Sequence, residues 1–125
     1  MTFIRGLTLV SASAVALSAA ACATPGAQRR ADDWRRILAN EAPTGAPAEA
    51  AEAALTQRGV EVSRGTYVVV GDDGREHSNC PNPKTAVTGR ETAGHVGFNT
   101  SVLEITACLD DAGHIERHYV GIWVQ

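Results

Sequence analysis

The residues of this chain best suited to chemistry are its histidines and cysteines. His77 and Cys80 stand three positions apart, and Cys108, His114 and His118 flank a short acidic turn. Thiolates and imidazoles are good zinc ligands, and closely spaced pairs suit a tetrahedral site. His77, His114 and His118 are therefore candidate metal ligands, with Cys80 and Cys108 able to complete a set. His77 beside Cys80 could instead be the base for a thiol nucleophile. Such a spacing in a proline-rich loop is not a hydrolase arrangement, and there is no Gly-x-Ser-x-Gly elbow. In an oxidising compartment, Cys80 and Cys108 would rather bond to each other. That bridge is worth roughly 3–4 kcal/mol by loop entropy. Asp72-Asp73 and Asp110-Asp111 lie in glycine-containing turns, where Asp is expected anyway. They lack the alternating spacing of a calcium loop. Gly94-His95-Val96-Gly97 is too short to cradle a phosphate. No acid–base or nucleophile set converges, so the sequence assigns no reaction, metal or cofactor.

The elements that would position these residues divide along the chain. Trp34, Ile37 and Leu38 share one helical face, predicting a helix over about Gln28 to Asn40. Ala42 to Ala46 breaks it. Pro47 and Gly59 then suit the start and stop of an alanine-rich helix whose inner face is Ala51, Ala54 and Leu55. Thr66 to Val70 reads as a strand closed by Gly71 to Gly74, after a short piece at Val60 to Val62 and a turn through Ser63 to Gly65. Residues 75–99, interrupted by Pro81, Pro83, Gly89, Gly94 and Gly97, read as loop with a short strand near Ala86 to Thr88. A C-terminal hairpin joins Val102–Leu109 to His114–Val124, with Gly113 left-handed in the turn. A regular register from that turn pairs Ile105 with Tyr119, Leu103 with Gly121 and Ser101 with Trp123. Ile105, Leu103, Tyr119 and Trp123 then form the core with Trp34, Leu38 and Leu55. Glu104, Thr106, Cys108, His114, Glu116 and His118 fall on the other face, covered in part by the middle loop. The fold class is α+β: two N-terminal helices on a small antiparallel sheet that ends in a β-hairpin.

The N-terminus addresses location. Arg5 precedes the uncharged run Gly6 to Ala21, which ends in Ala19-Ala20-Ala21-Cys22. A basic start, an apolar core and small residues at a cleavage point mark an export signal. The run is short for a membrane span, which takes about 20 mostly apolar residues. Cleavage after Ala21 or Ala23 would release a soluble chain. With its cysteine directly after small residues, the segment resembles the lipobox of bacterial lipoproteins. The resemblance implies that residues 1–21 are removed and that Cys22 becomes an acylated, palmitate-bearing N-terminus. Ala23 rather than Asp after the cysteine implies sorting to the outer membrane, facing the periplasm. Residues 22–28 would be a tether and 29–125 a single domain.

Losing Arg5 moves the formal charge from −3 to −4. Such an acidic chain is a poor partner for nucleic acid. Arg29-Arg30 and Arg35-Arg36 could touch lipid headgroups near the anchor, or form a solvated helix face. The resulting expectation is a membrane-anchored lipoprotein acting as a non-enzymatic binding or envelope-support module, with an envelope protein as a possible partner. The alternative is a small enzyme or metal-binding protein using the polar face of the hairpin.

Overall fold

The computed structural model describes residues 24–81 and 85–125. The signal segment and Cys22 lie outside the described residues. Helix α1 (Pro25–Glu41) opens three residues earlier than expected. Thr24 supplies the reason: its Oγ1 accepts the Ala27 amide at 3.0 Å, and Pro25 follows as the first helical residue. Ala27, Ala31, Trp34 and Leu38 form its buried face. Helix α2 (Ala48–Gln57) follows, with Pro47 at the N-cap. Ala51, Ala54 and Leu55 are buried as the spacing predicts.

Both helices pack on one face of an antiparallel sheet of four strands. They are β1 (Val62–Gly65), β4 (Ala86–Val96), β5 (Asn99–Leu109) and β6 (Ile115–Val124), in the order β1-β4-β5-β6. A separate two-stranded ribbon, β2 (Val69–Val70) with β3 (Glu76–His77), belongs to a strap over the other face. Two expectations are corrected here. Ser63 to Gly65 is strand rather than turn, and only Val69 and Val70 of the Thr66–Val70 run pair at all. The supposed loop contains β4, one of the two longest strands. Its glycines suggested interruption, but Gly89 is there for closeness. A Cβ at that position would come within 2.7 Å of Val60 Cγ1 and 3.0 Å of Leu55 Cδ2.

The C-terminal hairpin forms with Gly113 left-handed at φ +83° and the Asp110 amide donating to the His114 carbonyl at 2.8 Å. Leu109 pairs with Ile115 as expected, but Cys108 then pairs with Arg117. Glu116 is the extra residue of a bulge. Beyond it the expected register is wrong by one residue. Thr106 faces Tyr119, Ile105 faces Val120, Leu103 faces Ile122 and Ser101 faces Val124. The physical reason is charge. A regular ladder would turn Arg117 under the helices, opposite Ala107. The bulge puts His118 there instead, and its Nε2–H donates to the Ala42 carbonyl at 2.6 Å.

The core is Trp34, Leu38, Leu55, Val87, Leu103, Ile105, Leu109, Ile115 and Val120. Tyr119 and Trp123, expected within it, lie on the opposite face. Polar groups on the helix side are paired. Glu91 accepts from Trp34 Nε1 at 2.6 Å and from Arg30 at 2.7 and 3.2 Å. The guanidinium groups of Arg30 and Arg58 lie 5.3 and 5.7 Å from the Trp34 ring centroid, within cation–π range. Arg35 and Arg36 pair with Asp32 and Asp33 along the exposed side of α1.

Candidate functional site

Cys80 and Cys108 are joined in a disulfide, with Cα atoms 5.3 Å apart. The bridge ties the strap to β5, and with Tyr67 and Ala86 the two cysteines make a second small buried cluster. The other members of the metal candidate set are dispersed. His77 lies exposed on β3, with Nε2 3.2 Å from Asp73. His114 is exposed at the hairpin turn. His118 points to the helix side, so Cys108, His114 and His118 do not share a face as the regular register required. Among the described residues no three His, Cys, Asp or Glu side chains are grouped to hold a metal ion.

The aspartate pairs serve turns. Asp110 Oδ1 accepts from the amides of His114 and Ala112, both at 2.9 Å, and the His114 amide leads in holding its carboxyl below the usual range. Asp73 accepts from the Arg75 amide at 2.9 Å and is lowered first by that bond and then by His77.

What the structure gathers instead lies between the strap and the sheet. Glu104, on β5, is only 4% exposed. Its one ion pair among the described residues is with Arg90, 3.9 Å away and itself largely exposed. Thr106, two residues on, is fully buried. The Tyr67 ring descends from the strap beside them. Among the described residues neither the Tyr67 hydroxyl nor Thr106 Oγ1 makes a well-formed hydrogen bond, although Asn79, Thr106 and Glu104 lie close enough to the phenol to act on it. Burial raises the Tyr67 phenol above its usual range, and the Glu104 charge adds to the rise.

Tyr119 folds back along β6 across Gly121, the residue opposite Glu104. A Cβ on Gly121 would lie 2.7 Å from the Tyr119 hydroxyl, so the ring can take this position only over a glycine. Clefts open on this face, two of them walled by Tyr67. One, of about 530 Å³, runs between Tyr67, Ser63, Thr88, Arg90 and Glu104. One of about 400 Å³ is walled by Tyr67, Tyr119, Trp123, His77 and Asn79. A third, of about 180 Å³, lies between Glu104, Arg90, Val102 and Trp123.

Glu104 accepts hydrogen bonds, the two hydroxyls can donate or accept, and the aromatic rings offer flat apolar walls. The disulfide leaves neither cysteine as a thiolate nucleophile. Sequence reasoning placed Glu104 and Thr106 on this face but gave Tyr119 and Trp123 to the core. The signal that could have moved them is Gly121 between two large aromatics, a gap that suits a ring lying flat.

No family model, no curated protein and no solved structure matches this chain.

Proposed function

We propose that the protein is an exported lipoprotein, anchored through Cys22 to the outer membrane and facing the periplasm, that acts as a non-enzymatic binding module. Its binding surface is the strapped face of the sheet. The observation that supports this reading is the set of polar groups beneath the strap: Glu104 nearly enclosed, beside Tyr67 and Thr106 hydroxyls that are buried without a well-formed hydrogen bond among the described residues. A buried hydroxyl without a partner costs about 1–3 kcal/mol. A ligand able to bond to such groups recovers that cost, which is why orphaned polar atoms beside a cleft favour recognition over packing alone. The rival reading, a small enzyme or metal binder on the hairpin's polar face, has less support because His114 and His118 are directed apart.

The test is an amide-shift titration of the isotope-labelled protein with choline, lysine, glucose and a dipeptide as separate probes. Saturable shifts grouped around Glu104, Thr106 and Trp123, lost in Glu104→Gln, are expected for at least one probe. Shifts confined to the helix face, or none at millimolar probe, would remove the binding assignment. Intact mass decides the anchor separately. An acylated chain beginning at Cys22 is expected, and an unacylated chain beginning at Thr24 would refute it.

A further inference from the structure

Among the described residues, four of the five exposed large apolar side chains, Val96, Phe98, Trp123 and Val124, lie at one end of the sheet. Val96 pairs with Asn99 across the β4–β5 turn, whose outermost side chain is Phe98. Trp123 and Val124 pair with Val102 and Ser101 at the same end of β5. Phe98 is 105% exposed, so its ring touches nothing in the domain. An isolated exposed apolar residue is ordinary; several gathered at one end mark an interaction surface.

The chain enters the domain at this same end. Thr24, which caps α1, lies beside Gly94: its Oγ1 is 3.6 Å from where a Cβ of Gly94 would stand. Two peptide steps separate Thr24 from Cys22, a reach of at most about 7 Å in any conformation. The β4–β5 turn continues past Gly94 by roughly 10 Å of strand. Whatever surface holds Cys22 is therefore within reach of Phe98. Charge agrees with a lipid surface. No acidic residue occurs from Thr92 to Leu103, although the chain as a whole is acidic. Arg29, in the first turns of α1 at this end, is exposed.

We propose that the β4–β5 turn is a second membrane contact, with Phe98 and Val96 seated in the headgroup layer of the bilayer that holds the Cys22 lipid. This rests on the proposed anchor at Cys22. Phe98 is the wedge, and Trp123 and Val124 lie at its rim, as aromatic residues do at membrane interfaces. Two points of contact fix the orientation of the domain. The long axis of the sheet stands away from the membrane, and the Asp110–Gly113 turn points into the periplasm.

The full chain, purified from membranes and placed in phosphatidylethanolamine–phosphatidylglycerol vesicles with brominated acyl chains, tests the contact. With Trp123→Phe in the background, Phe98→Trp reports from the turn and Val70→Trp from the strap, while buried Trp34 is the internal reference. Bromine should lower the Phe98→Trp emission about two-fold or more, as for an interfacial indole, and leave Val70→Trp unchanged. Mass is measured on the same sample. An acylated chain whose Phe98→Trp and Val70→Trp signals respond alike overturns the turn contact while the anchor stands. An unacylated chain overturns the anchor, and this contact with it. Emission that is blue-shifted with protein concentration, and insensitive to bromine, would assign the turn to a second copy of the chain and overturn the lipid contact.

Discussion

On the helix side of the sheet, the buried indole of Trp34 donates to Glu91 at 2.6 Å, and Glu91 is held by two bonds from Arg30. On the strap side, Tyr67 and Thr106 bury hydroxyls that make no well-formed hydrogen bond among the described residues, and Glu104 meets Arg90 at 3.9 Å. The two faces belong to the same strands, so composition alone does not explain the contrast. The covering layer does. Helices supply their own backbone hydrogen bonds and offer a continuous apolar stripe, so the polar groups beneath them can be few and matched. A strap whose ribbon has only two pairs of residues cannot shield a sheet face evenly, and it leaves clefts. One face resembles a finished core, whereas the other has the features of a place where something else completes the packing.

The largest effect should come from the helix side. Ile105→Ala removes a fully buried aliphatic side chain and should cost about 2–5 kcal/mol in urea melts. Next is the bridge. Replacing Cys80 and Cys108 together by Ser should lower stability by about 2–4 kcal/mol. The loss should be unevenly distributed: amide exchange should rise through the strap and remain slow in α1 and β5. Uniform acceleration would mean that the two faces are one cooperative unit, and the contrast would fail.

Thr106→Val should act in the opposite direction. It removes a buried hydroxyl that makes no well-formed hydrogen bond among the described residues, at nearly constant shape, and should stabilise by about 1 kcal/mol. A destabilised variant would show that Thr106 has a partner in solution, and the strap side would then be less open than described.

The smallest effect belongs to Asp110, whose exposed carboxylate caps the hairpin turn equally for both faces. Its pKa is lowered in the folded protein, so its contribution is present above the ordinary aspartate range and is lost as pH falls through the lowered value. Asp110→Ala should lower the melting temperature slightly at about pH 6 and leave it unchanged at about pH 2. An equal shift at both pH values would assign the effect to backbone propensity.

Sequence periodicity was enough to identify the buried faces of both helices, because Trp34 with Leu38, and Ala51 with Ala54 and Leu55, repeat at helical intervals. The Gly113 turn and the Cys80–Cys108 bridge were legible for local reasons: an acidic turn ending in glycine, and two cysteines in a chain whose first residues read as an export signal. β4 was not. Gly89 reads as a breaker unless it is known that Val60 and Leu55 press against it from another part of the chain. The bulge at Glu116 was hidden for a related reason. Nothing near it in sequence marks an extra residue; the benefit lies in turning Arg117 outward and bringing His118 to the Ala42 carbonyl, a contact between residues 76 positions apart. One unread residue reversed the face of everything after it. That is why Tyr119 and Trp123 were assigned to the core, and why the strap-side site could be seen only in part.

Ala27, Ala31, Ala42, Ala48, Ala51 and Ala54 are all buried. Side chains this small permit a close approach of the helical layer to its neighbours. An alanine scan would pass over every one of these positions, since each already carries the residue the scan introduces. Their importance would emerge only when side chains are enlarged, because a close-packed seam answers added methylenes with displaced helices. A survey built on truncation would therefore rank the seam as silent, although it is where the domain has least room to vary.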